Sequence, residues 1–299
     1  LKMLHEKRGV SILFISHDLN VIKQICQKVI VMYKGVIVEQ GTVDEVLNHP
    51  KHEYTKTLVA SMPGVLPPLK DKKPVLTMEH LNVFYKEKAS AFFKNKGRAQ
   101  VIWDLNLTVY DGEILGIVGE SGCGKSTLAK TVVGLNRDFT GTLSMEENLR
   151  PQMVFQDPFS SLNPARKIGF ILSEPLRLRG IRDKALRRKM AEEMLEQIGL
   201  DKSYYGRYAH ELSGGQRQRI SIGTALLMDS KLLVADEPVS ALDVTVQSQI
   251  LKLLLDIHKK KNLTILFISH DLNIVRHICH RMAVIYLGEI VEMADVREI

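Results

Sequence analysis

The chain has 299 residues, of which 45% are hydrophobic and 25% charged, with a net charge of +7. That length buries one full core and part of a second, and the mild basic bias fits anionic partners such as nucleotide phosphates or a phospholipid surface. The basic residues are scattered rather than interleaved with aromatics, which argues against nucleic acid as a partner, and no apolar run approaches the ~20 residues needed to cross a bilayer, so a membrane role requires a separate membrane partner.

In chain order, Leu1 opens in what reads as the end of a helix, and Ile12–Ile15 reads as a buried strand. The stretch Ile12–Asn20 (Ile-Leu-Phe-Ile-Ser-His-Asp-Leu-Asn) returns unchanged at Ile265–Asn273. The alignment continues without a gap, pairing Cys26 with Cys279, Tyr33 with Tyr286 and Ile37–Glu39 with Ile290–Glu292. A repeat over that distance is the duplication of a whole domain, not a solenoid. Pro63, Pro67, Pro68, Lys70 and Pro74 have the composition of an exposed linker. Residues 1–62 are therefore read as the C-terminal remnant of a first domain, 63–74 as a linker, and 75–299 as a second domain truncated at its own C-terminal end. Both chain ends, the second in a helix-like stretch at Ile299, are expected to be cuts.

Within the second domain Val75–Tyr85 and Val101–Tyr110 are predicted strands, and Asp111-Gly112 signals a tight turn. Ile114–Val118 is a short apolar strand that runs into a glycine-rich loop, followed by a helix over Lys125–Gly134. A helix over Asp183–Gly199 places Leu186, Met190, Met194 and Ile198 near helical spacing. Leu232–Ala235 and Leu263–Ile268 read as buried strands separated by a helix over Val244–Lys260. Strand and helix in alternation predict an α/β fold with a mainly parallel sheet.

Three motifs carry chemistry. Gly119-Glu120-Ser121-Gly122-Cys123-Gly124-Lys125-Ser126 has the P-loop spacing, after a strand and at the start of a helix. Its glycines let backbone N–H groups line a concave nest for phosphate oxygens, and the helix N-terminus adds partial positive charge. Lys125 is expected to reach the β- and γ-phosphates of ATP, Ser126 to bind Mg²⁺ and Thr127 to touch the α-phosphate. Leu232–Asp236 with Glu237 is an apolar strand ending in two carboxylates. Asp236 suits a Mg²⁺-bound water and Glu237 is placed to polarise an attacking water. Leu212-Ser213-Gly214-Gly215-Gln216 stands before a helix, with Ser213 as N-cap. It forms a second anion site, which is expected to serve a nucleotide held by another subunit.

With these residues together, the chain resembles the nucleotide-binding subunit of ABC transporters over essentially all of residues 75–299. The resemblance implies a P-loop NTPase fold with a RecA-like core, an antiparallel β-subdomain over about 75–112 and a helical subdomain over about 160–225. It implies that Gln156 senses Mg²⁺ and contacts a membrane subunit, that Ser240–Asp243 communicates across a dimer, and that His270 grips the γ-phosphate. Tyr85 would stack on adenine, although a core aromatic is the competing reading there. The metal set would be Ser126, Gln156 and Asp236. Two such domains would pair head to tail around two ATPs, each held by one domain's P-loop and Ser213–Gln216 of the other. A narrower resemblance, to di- and oligopeptide importers and their nickel and glutathione relatives, rests on Gln156–Pro164, Ala241–Gln247 and His49–Thr55 with Met62-Pro63. It implies an ATPase at the cytoplasmic face of the membrane, working with membrane-spanning permease subunits and indirectly with a solute-binding protein. Fused double ATPase subunits occur in that group, which suits the repeat.

Competing readings are set by other residues. DNA-repair relatives carry paired Cys-x-x-Cys sites and chromosome-organising relatives a long coiled coil, and neither pattern is present. A nucleotide-binding module without turnover would not need Glu237 and His270. His17 has no P-loop of its own copy and is expected to be inert. The cysteines Cys26, Cys123 and Cys279 make no disulfide framework and suit a reducing, cytosolic setting. Phosphoryl transfer needs no thiol, so Cys123 is not read as a nucleophile. His277, Cys279 and His280 are expected to split across helix faces rather than bind metal, and the basic run Arg177–Lys189 to be a solvated face rather than a membrane-subunit contact.

Overall fold

The computed structural model describes residues 7–16, 19–59, 66–69, 71–86, 98–147, 149–240 and 242–298. They divide into two compact units, Leu1–Pro63 with Asp243–Gln249 and Gly64–Leu242 with Ile250–Ile299.

In the smaller unit, α1 (Leu19–Ile25) precedes an antiparallel hairpin of β1 (Lys28–Tyr33) and β2 (Val36–Thr42), followed by α2 (Val43–Leu47) and α3 (Glu53–Val59). Thr42 starts α2 with a capping box: its hydroxyl accepts the Glu45 N–H at 3.3 Å while Glu45 Oε2 accepts the Thr42 N–H at 2.8 Å. Val29, Val31, Val46 and Leu47 form a small core.

The larger unit begins with β3 (Pro74–Lys86) and β4 (Arg98–Tyr110), then β5 (Ile114–Val118), α4 (Lys125–Val132), β6 (Phe139–Met145) and β7 (Gln152–Val154). Four helices follow, α5 (Pro158–Ser161), α6 (Ile168–Leu178), α7 (Lys184–Gln197) and α8 (Gly214–Leu226). The chain then runs through β8 (Leu232–Asp236), α9 (Val244–Lys261, counted with this unit from Ile250 on), β9 (Thr264–Ile268), α10 (Leu272–Ile278), β10 (Arg281–Tyr286) and β11 (Glu289–Asp295). One sheet has the order β11-β10-β5-β9-β8-β7, parallel except for the β10–β11 hairpin. Its central strands β5, β8 and β9 are buried along their whole length. This explains why they read as continuous apolar runs and not as alternating ones. The second sheet, β4-β3-β6, is antiparallel. Its Leu76, Met78 and Leu105 share one core with Leu115, Ile117, Val234 and Leu266 of the first.

The β-subdomain expected over about 75–112 is therefore incomplete without β6, where Phe139, Leu143 and Met145 face the core and alternate with Thr140, Thr142 and Ser144 in the period-2 pattern of a half-buried strand. The hairpin β3–β4 also extends past the predicted Tyr85 and Val101, to Lys86 and Arg98. In β5, Gly116 lets α10 approach closely. A methyl group there would collide with Val275 Cγ1 and lie 3.1 Å from Cys279 Sγ. Gly116→Ala is expected to destabilise the larger unit by about 2 kcal/mol through overpacking, measured as a lower denaturant midpoint.

The expected strand at Ile12–Ile15 is corrected. Residues 9–16 carry no regular structure, and Leu13 and Ile15 are 87% and 89% exposed. The identical sequence at Ile265–Ile268 is a strand because β5 and β8 pair with it on both edges. No strand of the smaller unit pairs with residues 12–15 among the described residues, and neighbours rather than local propensity decide the outcome. The closing helix-like stretch is also corrected: Val296–Glu298 is a turn. His17 lies outside the described residues.

Candidate active site

Strands β5, β9 and β8 are adjacent and parallel, so Val118, Ile268 and Asp236 end at the same sheet edge. That edge is where open α/β sheets bind ligands. The loop Gly119–Gly124 leaves β5 there and enters α4. Its N-cap Gly124 is left-handed, φ 104°, and makes no side-chain cap. A Cβ at Gly124 would sit 2.7 Å from both Val101 O and Ile102 Cδ1, so only glycine fits. The first-turn N–H groups of α4 are thus left for a ligand rather than a side-chain cap. Buried Lys125 donates from Nζ to the carbonyls of Gly119 at 2.8 Å and Glu120 at 2.7 Å, and lies 3.7 Å from Cys123 Sγ. Ser121 and Gly122 are exposed on the rim, and Cys123 is buried beneath them. Thr127 is partly buried in the first turn of α4.

Two carboxylates stand beside this loop. Ser126 Oγ donates to Asp236 Oδ1 at 3.1 Å. Burial pushes the Asp236 carboxyl above its ordinary range, opposed by the Ser126 hydrogen bond and by Lys130 and Lys125, and reinforced by the Glu237 charge. Glu237 takes a positive φ of 45°, an uncommon conformation for a non-glycine residue. Its N–H is fixed on Ile268 O at 3.0 Å. Gln156 Nε2 donates to Glu237 Oε2 at 2.8 Å, and His270 Nδ1 lies 3.3 Å from Oε1. Gln156 and His270 thus meet on the two oxygens of one carboxylate, an arrangement no spacing in the sequence reveals. Ser126 and Asp236 with the amide oxygen of Gln156 are hard oxygen donors, a set that fits Mg²⁺.

Ser213 caps α8 as anticipated. Its hydroxyl accepts the Gln216 N–H at 3.4 Å, and Gln216 Oε1 accepts the Ser213 N–H at 2.9 Å. The Ser-Gly-Gly-Gln run is therefore a capping box, with Gly214 partly exposed and Gly215 buried. Gln216 Nε2 also donates to Tyr204 OH at 3.0 Å, a partner with no signal in the sequence. Arg217 is likewise unforeseen: buried on α8, its guanidinium lies 3.4 Å from the ring centroid of Phe159 on α5, the short helix that follows Gln156.

Tyr85 is 51% exposed, which removes the core-aromatic reading. Its register opposite Ala99 places it on the strand pair whose Val101 abuts Gly124. Ser240 Oγ donates to Glu237 O at 3.2 Å. Asp243 belongs to the smaller unit and accepts the Val246 N–H at 3.0 Å at the start of α9; Ala241 between them lies outside the described residues. The predicted split of His277, Cys279 and His280 over helix faces is corrected, since α10 stops at Ile278. Buried Cys279 follows it, and His280 Nδ1 accepts the Ile114 N–H at 2.9 Å. Within the basic run, Arg179 donates to Leu227 O at 2.9 Å and Arg187 to Ile181 O at 2.6 Å, so part of its charge braces the helical layer.

The ABC transporter family matches residues 102–240, and the family described as oligopeptide/dipeptide transporter, C-terminal region, matches residues 38–82. The glutathione import ATP-binding protein GsiA of Escherichia coli (strain K12) is 35% identical over 344 residues, and that of Salmonella typhi 36% over 342. Each match takes in 100% of this chain and 55% of the relative, so the chain spans about half the length of these proteins. Among solved structures, the ATP-binding cassette MJ0796 bound to ADP and Pi is similar with TM-score 0.64 and 25% identity, over 74% of this chain and 99% of that one. The cbiO1 protein from Clostridium perfringens, part of the ABC transporter complex cbiONQ, gives 0.62 and 25%, over 76% and 90%. By the family match over residues 102–240 and by the fold around them, the larger unit carries an ATP-binding domain of the ABC transporter family.

Proposed function

We propose that this chain binds and hydrolyses ATP to power an importer of peptides or related small solutes, glutathione among them, at the cytoplasmic face of a membrane. The observation that carries the reading is the meeting of Gln156 and His270 on Glu237, next to the Ser126–Asp236 pair and the lysine-filled glycine loop. Lys125 and the loop N–H groups bind the phosphate chain, Tyr85 takes the adenine face, and Glu237 accepts a proton from the attacking water. Gln156 and His270 hold the Glu237 carboxylate in place for that transfer. Ser126, Asp236 and Gln156 are the residues that would hold Mg²⁺, which supplies charge neutralisation at the β- and γ-phosphates when bound. The capped N-terminus at Ser213–Gln216 serves a nucleotide on a second ABC domain. No described helix is long and apolar enough to cross a membrane, so permease subunits supply the pathway and a solute-binding protein the capture. Residues 1–62 are read as the end of a first ABC domain, 63–74 as a linker and 75–299 as the second. This is supported by the hairpin β1–β2, which matches β10–β11 pair for pair.

Mg²⁺-dependent ATPase rate measured against protein concentration tests this function. A rate per molecule that rises with concentration, and that Lys125→Ala abolishes, is expected for a site completed by pairing. Absence of ATP binding at every concentration would overturn the reading.

A further inference from the structure

Gln216 commits both ends of its side-chain amide to the protein. Its Oε1 accepts the Ser213 N–H at 2.9 Å, and its Nε2 donates to Tyr204 OH at 3.0 Å. Its own backbone N–H goes to Ser213 Oγ at 3.4 Å, and the Arg217 N–H to Ser213 O at 2.9 Å. The Gly214 N–H, the Gly215 N–H and the Ser213 hydroxyl donate to nothing among the described residues. The donors left for a ligand are therefore backbone groups and one hydroxyl, and Gln216 serves to hold the turn that carries them.

Tyr204 lies twelve residues before Gln216, in a 3-10 turn over Lys202–Gly206 that is itself braced. Asp201 caps this turn by accepting the Ser203 N–H at 2.8 Å. The Arg207 N–H donates to Tyr204 O at 3.1 Å, while Arg207 O accepts the Ile168 N–H, at the start of α6, at 2.8 Å. The Arg207 guanidinium covers the Tyr204 ring, 4.1 Å from its centroid. A fixed turn thus presents the hydroxyl to Gln216, and the support of the cap continues one layer beyond it.

We propose that Tyr204 is a positioning residue for the nucleotide of the second domain and acts through Gln216. By accepting from Nε2 it orients the amide so that Oε1 stays on the Ser213 N–H. The capping box then holds one geometry before the domains pair. A glutamine side chain that must be ordered at the moment of association costs affinity. With Tyr204 in place the ordering is already complete. This inference rests on the reading that Ser213–Gln216 serves such a nucleotide.

The test compares the parent chain with Tyr204→Phe. The quantity read is the protein concentration at which the ATPase rate per molecule reaches half its maximum. The substitution keeps the ring beneath Arg207 and removes only the acceptor. The midpoint is expected to rise about tenfold, because a head-to-tail pair contains the contact twice, at roughly threefold each. ATP affinity of the dilute protein, set by the glycine loop, should stay as in the parent. Tyr205→Phe removes a neighbouring hydroxyl with no part in the Gln216 contact and should leave the midpoint in place. In a Gln216→Leu background, Tyr204→Phe should add nothing, whereas a tyrosine that merely braces the fold would add its full effect there. A midpoint within twofold of the parent in Tyr204→Phe overturns the proposal and leaves the pairing of domains intact. So does an equal shift in Tyr205→Phe, or a full added effect in the Gln216→Leu background. A parent rate that does not rise with concentration overturns the pairing reading and this inference with it.

Discussion

Glu237→Gln is expected to leave ATP binding intact and to lower the rate of hydrolysis about 10²-fold or more, the usual scale for loss of a general base. The substitution is close to isosteric. An amide oxygen can still accept from Gln156 Nε2, now 2.8 Å from Oε2, and the backbone anchor of residue 237 on Ile268 O is untouched. What is lost is the negative charge and the proton-accepting capacity beside His270, whose Nδ1 is 3.3 Å away. Phosphate binding should hardly change, because Lys125, the loop amides and Ser126 hold no contact with that carboxylate, and loss of its charge only relieves part of the upward push on Asp236. The variant should retain ATP on rapid gel filtration while releasing phosphate at a small fraction of the parent rate. Turnover within twofold of the parent would move the proton-accepting role to another group. Loss of ATP binding would show instead that the positive-φ conformation at 237 fails to tolerate the change, a result separable by circular dichroism and thermal melting.

The phosphate loop was legible because its chemistry is written in consecutive residues: glycines where a Cβ would strike Val101 and Ile102, then a lysine and a hydroxyl at the start of a helix. The Ser213–Gln216 cap was legible for the same reason, being a local hydrogen-bond pattern. The meeting of Gln156, Glu237 and His270 was not derivable from spacing. Gln156 lies 81 residues before Glu237, and only the strand order β9-β8-β7 brings the segments that follow these strands to one edge. Resemblance to a family named those residues, and geometry supplies what joins them. The repeated Ile-Leu-Phe-Ile shows the limit most sharply. One sequence is a fully buried central strand at Ile265–Ile268 and an exposed, irregular segment at Ile12–Ile15. Burial belongs to the surrounding sheet and cannot be read from four residues alone.

The second large expected effect is on stability and arises far from the phosphate loop. His280 is buried at the start of β10, its Nδ1 taken by the Ile114 N–H and its ring 5.6 Å from that of His258. Burial and the neighbouring His258 depress its pKa to about 4; the Ile114 hydrogen bond and Asp295 pull the other way, and Arg297 adds to the depression. His258, held by Leu263 O at 2.8 Å, is lowered as well, chiefly by burial. Both rings are neutral in the folded protein, while the unfolded chain takes up protons as pH falls through the ordinary histidine range. Stability conferred by a neutral buried histidine is therefore complete above that range and declines as pH falls, levelling off below the folded pKa. For His280 alone the loss between pH 7 and pH 5 is about 2 kcal/mol. Glu113 acts in the opposite direction: burial raises its pKa, so its protonation relieves a buried charge and partly offsets the loss near the acid end of the window. Fluorescence of the only tryptophan, Trp103 on β4, reports unfolding of this unit. Urea midpoints read this way should fall from pH 7 to pH 5 in the parent. They should fall much less in His280→Asn, whose side-chain oxygen can take the Ile114 N–H at any pH without charging. Equal pH slopes in the two proteins would show that His280 is not the group that loads protons on unfolding.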